Sequence, residues 1–376
     1  MRFTGTWTTA PQPLDEPPFG DCTLRMNVRT SIAGKKLRVR FSNAHGDGPL
    51  HIANSNIALR EGEMRIDVSS RRMLTFGGEK HVRIAPGALV VSDPVDFDLH
   101  ALADVAITYY LPGTVDASTG HGGARQTNYI STKGNHALAT DLPIARSIDS
   151  WFFVTCIEVE SSPATRGIVT LGDSLTDANI STPNANCRWP DQLARRLVAA
   201  KGSQFGGVMN QGIGGNRILH DNPNAYSGQR RFDRDVIAQP GVTHLIVLLG
   251  TNDLRNRRGN ASEEANASDM IAGLKQFSER ARAAGIKAII GTLMPYENEI
   301  FVPGCWTPAR ETVRLVVNEW IRGNTAFDSV IDFEQALRDR DNPSRLLPVW
   351  DCGDHLHPSD AGYNHMGDCI DLGLFD

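Results

Sequence analysis

From about residue 166 onward, short apolar runs alternate with stretches of helical periodicity, and this alternation restricts the fold more than any other feature of the chain. The runs at 167–171, 208–209, 244–249, 286–292 and 330–333 read as buried strands. Between them, "SDMIAGLKQFSERARAAG" repeats Met270, Leu274, Phe277 and Ala281 at helical spacing and stops at Gly285. A second helix is expected in "TPARETVRLVVNEWIRG", with Thr307 as N-cap, Pro308 at the first helical position, a buried face of Val313, Val317, Trp320 and Ile321, and an end at Gly323. Strands alternating with helices imply a parallel sheet covered on both faces, with ligands bound beyond the carboxyl ends of the strands.

The first 160 residues have a different texture. "KKLRVRFSN" sets Leu37, Val39 and Phe41 on one face and Lys36, Arg38 and Arg40 on the other, and "ADVAITYYL" and "WFFVTCIEVE" repeat the strand pattern. Gly34, Gly46-Asp47-Gly48, Gly77-Gly78 and Pro86-Gly87 fall between such runs as turns should. Short strands, frequent turns and no long amphipathic helix predict a β-sandwich over 1–162, followed by an α/β domain over 163–376. The segment 111–131, "LPGTVDASTGHGGARQTNYIS", reads as too polar and glycine-rich for a strand and too long for a turn, so a functional loop is expected there.

Composition excludes several classes. The 376 residues are 40% hydrophobic and 22% charged, and no apolar run approaches the roughly 18 residues of a membrane span, so a soluble protein is expected. A net charge of −5 with no basic stripe argues against nucleic acid, and "RRM" at 71–73 and "RNRR" at 255–258 read as solvated surface. The N-terminus has no apolar core of signal-peptide length, so the chain is expected to be cytoplasmic as written or to have lost a leader. Cysteines 22, 156, 187, 305, 352 and 369 show neither a CxxC pair nor zinc spacing, which points to mostly free buried thiols and no metal.

Four segments should converge at one edge of the sheet. "LGDSLTD" (171–177) follows the first strand, "MNQGIGGNR" (209–217) the second and "LLGTNDL" (248–254) the third, while "DCGDHLHPSDAG" (351–362) precedes the last helix, which Ser359 would cap. A serine nucleophile needs a base, a carboxylate to orient that base, and donors for the oxyanion formed on attack. Taken singly, each segment could be no more than a turn or cap. In order, glycine-aspartate-serine, glycine, asparagine and Asp-x-x-His resemble the four sequence blocks of the GDSL, or SGNH, hydrolase superfamily.

The resemblance covers 166–376. It implies a three-layer αβα, flavodoxin-like catalytic domain in which Ser174 is the nucleophile, His357 the base and Asp354 its orienting partner. The same likeness gives the oxyanion hole to the backbone of Ser174 and Gly215 and the side-chain amide of Asn252, with Gly212 and Gly214 as backbone supports. His355 and Asp351 stand off the family spacing, and Asp173 is expected to shape the turn. The serine context, Gly-x-Ser-x-Thr, differs from the Gly-x-Ser-x-Gly elbow of α/β-hydrolases. The "GTWTTAPQ" stretch and "VRTSIAGKKLRVRFSNAHGDGPL" resemble a group of bacterial and fungal SGNH hydrolases with an all-β, jelly-roll-like sandwich ahead of the catalytic domain. In that group the loop matching "GHGGARQTNYIS" recurs, so it is expected either to reach the active site, with Arg125 and Tyr129 as polar contacts to substrate, or to be a well-packed connection within the sandwich.

The implied activity is a serine esterase without cofactor or metal, acting on a short acyl group carried by a polar or carbohydrate alcohol. Hydrolysis of longer acyl chains or thioesters is the alternative within the same chemistry. A glycan-binding protein on a degenerate hydrolase scaffold is the rival from another class.

Overall fold

Leu37, Val39 and Phe41 on the strand Gly34–Ser42 are fully buried, as their alternation demands. The basic side of that strand does not simply face water. In the computed structural model, which describes residues 2–115, 119–256 and 259–376, Arg38 and Arg40 reach the buried Glu158 carboxylate at 3.0 Å each. Glu158 lies on Val154–Ser161, the neighbouring strand, directly opposite Arg38. The alternation is therefore one of core residues and partly exposed arginines gathered on a buried carboxylate.

Two compact units are present, one of residues 1–165 with 198–207 and one of 166–197 with 208–376. In the first, a five-stranded sheet runs in the order Arg2–Thr8, Val154–Ser161, Gly34–Ser42 and Leu89–Val91, with Val95–Leu99 also paired to Gly34–Ser42. A seven-stranded sheet is built on Ile144–Ile148, Asn128–Lys133, Phe19–Arg29, Asp104–Val115, Leu50–Leu59 and Arg72–Met73, with His81–Ile84 paired to Leu50–Leu59. Trp7, Val39 and Val159 of one sheet and Leu24, Met26, Ile57 and Ile107 of the other belong to a single buried cluster, so the unit is a β-sandwich. Among the described residues of 2–165 the helical content is the single turn Val68–Ser70.

The segment 111–131 is not the loop its composition suggested. Asp104–Val115 continues as strand, Thr119–Gly122 forms the middle of a three-stranded sheet with Ser150–Phe152 and Gln12–Pro13, and Asn128–Lys133 joins the seven-stranded sheet. Residues 116–118 lie outside the described residues. Glycine-rich strands carry too few side chains to display the two-residue period.

The second unit holds a five-stranded sheet in the order Gly206–Gly212, Arg166–Gly172, His244–Leu248, Lys287–Gly291 and Ser329–Ile331. The last four pair in parallel. This 2-1-3-4-5 order is flavodoxin-like, and its reversal point lies at the carboxyl ends of the first and third strands. The helix Ala267–Ala283 buries Met270, Leu274, Phe277 and Ala281, and Gly285 follows it. Pro308–Gly323 starts where expected, with the Thr307 hydroxyl accepting from the Arg310 N–H at 3.2 Å. Its buried face differs: Arg314 and Asn318 sit beside Val317 and Ile321, whereas Val313 and Trp320 are only partly covered. Arg314 is matched by the buried Glu334 at 2.9 Å, a pairing no apolar periodicity reveals.

Beneath the sheet's reversal point, the fully buried Arg231 donates to the Gly172 carbonyl at 2.9 Å and the Gln211 carbonyl at 2.8 Å, which end the first two strands. It also donates to Asn216 Oδ1 at 3.0 Å and pairs with Asp235 at 2.9 Å. Removing it would take a buried donor from the Gln211 carbonyl and Asn216 Oδ1, whereas the Gly172 carbonyl keeps the Ile213 N–H at 3.1 Å and Asp235 keeps Arg234 at 2.5 Å. Arg231→Met is expected to lower stability by about 2–4 kcal/mol, the cost of two buried acceptors losing their donor, measured as a shift in urea midpoint at unchanged slope.

All six cysteines are free. Cys22, Cys156 and Cys305 are buried, Cys187 and Cys352 partly covered and Cys369 exposed, so burial is less general than expected. Among the described residues no helix is long and apolar enough to cross a membrane.

Candidate active site

Ser174 is the first residue of the short helix Ser174–Asp177, at the carboxyl end of the first strand. Asp173 caps that helix by accepting from the Leu175 N–H at 2.9 Å. A first-turn N–H has no intrahelical acceptor, so the Ser174 amide and its hydroxyl are presented together. The hydroxyl lies 2.9 Å from His357 Nε2. His357 Nδ1 in turn lies 2.7 Å from Asp354 Oδ2.

The Asp-x-x-His spacing works because it forms a tight turn. Asp354 Oδ1 accepts from the N–H groups of Leu356 at 2.9 Å and His357 at 2.7 Å, leaving Oδ2 for the ring. Burial alone would raise the Asp354 pKa, but the ring and backbone hydrogen bonds from His357 outweigh it and hold it down at about 2. The carboxylate is thus ionised beside a ring whose Nδ1 it can keep protonated. His355 forms its own pair with Asp351 at 2.7 Å, but it is half-exposed, and it is His357 that meets Ser174.

The second block approaches from the neighbouring strand. A side chain at Gly212 would put its Cβ 2.4 Å from the Asp177 backbone nitrogen, so only glycine allows this strand end to lie against the serine helix. Gly215 adopts φ +74°, the left-handed conformation that favours glycine, and lines a cavity of about 380 Å³ together with Asn252. The other walls are Gly214, Arg217, Asn222, Pro223, Asn224, Ala225 and Val302. Asp253, next to Asn252, accepts from the backbone of Ile218 at 2.8 Å and Leu219 at 3.1 Å and so ties the third block to the segment after Gly215.

Asn252 is buried, with Nδ2 3.2 Å from both Asp173 Oδ2 and the Asn216 carbonyl. Burial pushes the Asp173 carboxyl up to about 7 against the opposing hydrogen bond from Leu175 and the charge of Arg255. On its other side, Asn252 Oδ1 accepts from Arg255 at 3.0 Å. Arg255, expected in a solvated "RNRR" run, is instead buried and paired with the buried Glu299 at 2.8 Å, while Arg257 and Arg258 lie outside the described residues. Its place three residues after Asn252, on the same helical turn, was the available signal.

Ser174, His357, Asp354 and Asn252 are thus held on one edge of the second unit's sheet, with Gly215 on the same cavity wall as Asn252. Arg125 and Tyr129 belong to the first unit: Tyr129 is buried in the strand Asn128–Lys133, and Arg125 precedes that strand at φ +50°. Asp351, Cys352 and Asp354 form the one group of potential metal ligands found within 4.8 Å among the described residues. Its carboxylates are already occupied by Gly353, His355, Leu356 and His357. Chemically, the array can remove a proton from Ser174 and offer N–H donors beside it.

The model of the family described as GDSL-like lipase/acylhydrolase matches residues 170–365. No curated protein matches the sequence. Among solved structures, an acetylxylan esterase from Geobacillus stearothermophilus is similar over 57% of this chain and 96% of its own, at 18% identity and a TM-score of 0.42. A GDSL-like lipase from Bacteroides thetaiotaomicron is similar over 55% of this chain and 86% of its own, at 18% identity and a TM-score of 0.40.

Proposed function

Since the chain belongs to the GDSL-like lipase/acylhydrolase family and is a carboxylic ester hydrolase, we propose that it works through an acyl-enzyme on Ser174 and removes short acyl groups from polar, uncharged alcohols such as sugars. The observation that carries the acyl-enzyme is the unbroken chain from Ser174 Oγ through His357 to Asp354, at 2.9 and 2.7 Å. His357 Nε2 takes the Ser174 proton as Oγ attacks the ester carbonyl, then passes it to the departing alcohol. The acyl group stays on Oγ until a water, deprotonated by the same nitrogen, attacks it and returns Ser174 as the free hydroxyl. The amides of Ser174 and Gly215 and the Asn252 side chain are assigned to the carbonyl oxygen, where charge develops, the Asn252 NH₂ exchanging one of its two 3.2 Å bonds, to Asp173 or Asn216, for the substrate.

The preference for a polar alcohol rests on the cavity. Its amide walls, Asn222 and Asn224, are uncharged, and the charge of Arg217 is already met by Glu263 at 2.6 Å. Nothing in that lining calls for an anionic substrate, and hydroxyl groups suit amide walls.

A fluorophosphonate should label Ser174, located by peptide mapping, and an acyl series from p-nitrophenyl acetate to octanoate should show kcat/KM falling about tenfold or more along the series. Label on another serine would overturn the nucleophile, whereas a preference for octanoate would overturn only the acyl length.

A further inference from the structure

Arg255 donates from Nη1 to Asn252 Oδ1 at 3.0 Å and from Nη2 to Glu299 Oε2 at 2.8 Å. A guanidinium has donors only, so whatever amide oxygen it meets must be the acceptor. With Arg255 on one side, the Asn252 NH₂ can face only the other, toward Asp173 and Asn216. The orientation of a catalytic amide is thereby set by a residue outside the four sequence blocks.

Glu299 carries the same guanidinium's influence to the opposite wall. Its carboxylate accepts from the N–H groups of Phe301 at 2.9 Å and Val302 at 3.2 Å, and from the Cys305 thiol, which burial pushes up to about 11 and so keeps protonated. The Ile300 N–H donates to the Asp354 carbonyl at 3.3 Å, and the Phe301 ring packs edge-on against the His357 ring at 5.7 Å. Val302 lines the cavity. Arg255 Nε is buried without a hydrogen-bond partner among the described residues, a cost not explained by packing alone.

We propose that Arg255 is a positioning residue: one guanidinium fixes the Asn252 amide in its donating orientation and, through Glu299, holds the 299–302 segment against Asp354 and His357. The inference rests on Asn252 acting as an oxyanion donor.

Lysine at 255 keeps the charge but replaces the planar fork with a point donor that cannot serve both acceptors in the same geometry. Arg255→Lys is expected to lower kcat about 10- to 100-fold, short of the 10²–10³ that loss of a whole donor costs, with KM within about twofold. In an Asn252→Ala background the same substitution should cost at least about threefold less than in wild type, the remainder being the part transmitted through Glu299. A residue with only a structural role would give a lower melting temperature with the same fractional loss of kcat in both backgrounds, and that result overturns the proposal. So does a folded Arg255→Lys protein with kcat within twofold of wild type. Should Arg255→Lys not fold, Glu299→Gln, an uncharged partner of the same shape, is read in the same cycle by the same criteria. Asn252→Ala with undiminished kcat would remove the oxyanion reading itself. A large Asn252→Ala loss without coupling to position 255 removes this inference alone.

Discussion

Ser174→Ala and His357→Ala are each expected to lower kcat toward p-nitrophenyl acetate by about 10⁴ to 10⁶ while leaving the melting temperature within a few degrees of wild type. The size follows from the role. Ser174 Oγ is the atom that would bond to the acyl carbon, and His357 Nε2, 2.9 Å away, is placed to take its proton. Neither side chain supports the core. The double variant should be no slower than the worse single one, because a base without its nucleophile contributes nothing. Active-site titration of each variant guards against traces of wild-type enzyme. Near-wild-type turnover in either one would mean that the acyl group is carried elsewhere.

Asp354→Asn should cost about 10⁴ in kcat, and the hydrogen bonds around position 354 show why an apparently mild change is severe. One carboxylate oxygen is fixed as acceptor for the N–H groups of Leu356 and His357. An asparagine must therefore put its oxygen there and its NH₂ toward the ring, where Asp354 Oδ2 now sits 2.7 Å from Nδ1. The ring answers by accepting at Nδ1 and carrying its proton on Nε2, facing Ser174, where it is no longer a base. Kinetics of Asp354→Asn and Asp354→Ala separate this from simple loss of charge: the forced tautomer predicts that asparagine is at least as damaging as alanine, and a markedly milder asparagine would refute it. The pH dependence has a definite sign. With Asp354 near 2 in the folded protein and a carboxyl of about 3.9 when unfolded, its contribution to stability is complete above about pH 4 and is lost as pH falls toward 2. Denaturant midpoints between pH 2 and 5 should slope less in Asp354→Asn than in wild type.

Much of this was legible in the residues because it was written in local chemistry. Thr307 and Pro308 announce a helix start, Met270 to Ala281 repeat at helical spacing, and glycines mark the second block, since only they permit the approach of Gly212 to Asp177. Ser174, His357 and Asp354 stood out through the resemblance to four family blocks, and the structure places their side chains within hydrogen-bonding reach, Asp354 and His357 on one turn. What escaped has a common cause: pairing between residues distant in sequence. Arg255 looked like part of a solvated basic run until Glu299, 44 positions away, buried it. Arg314 and Glu334, 20 positions apart, neutralise one another inside a helix face that should have been apolar. Arg38 and Arg40 meet Glu158 at separations of 120 and 118. Charge in a single sequence predicts exposure only where no partner comes to meet it. The strand Thr119–Gly122 escaped for the opposite reason, having too few side chains to leave a pattern at all.

The Ser174–His357 hydrogen bond spans 183 positions. During synthesis Ser174 emerges long before His357, so a growing chain carries that hydroxyl without its hydrogen-bond partner while most of the sheet is being laid down. The Ser174–His357 pair is therefore a property of completed tertiary closure, and if it carries the hydrolysis, activity on refolding returns only once that long-range contact has formed.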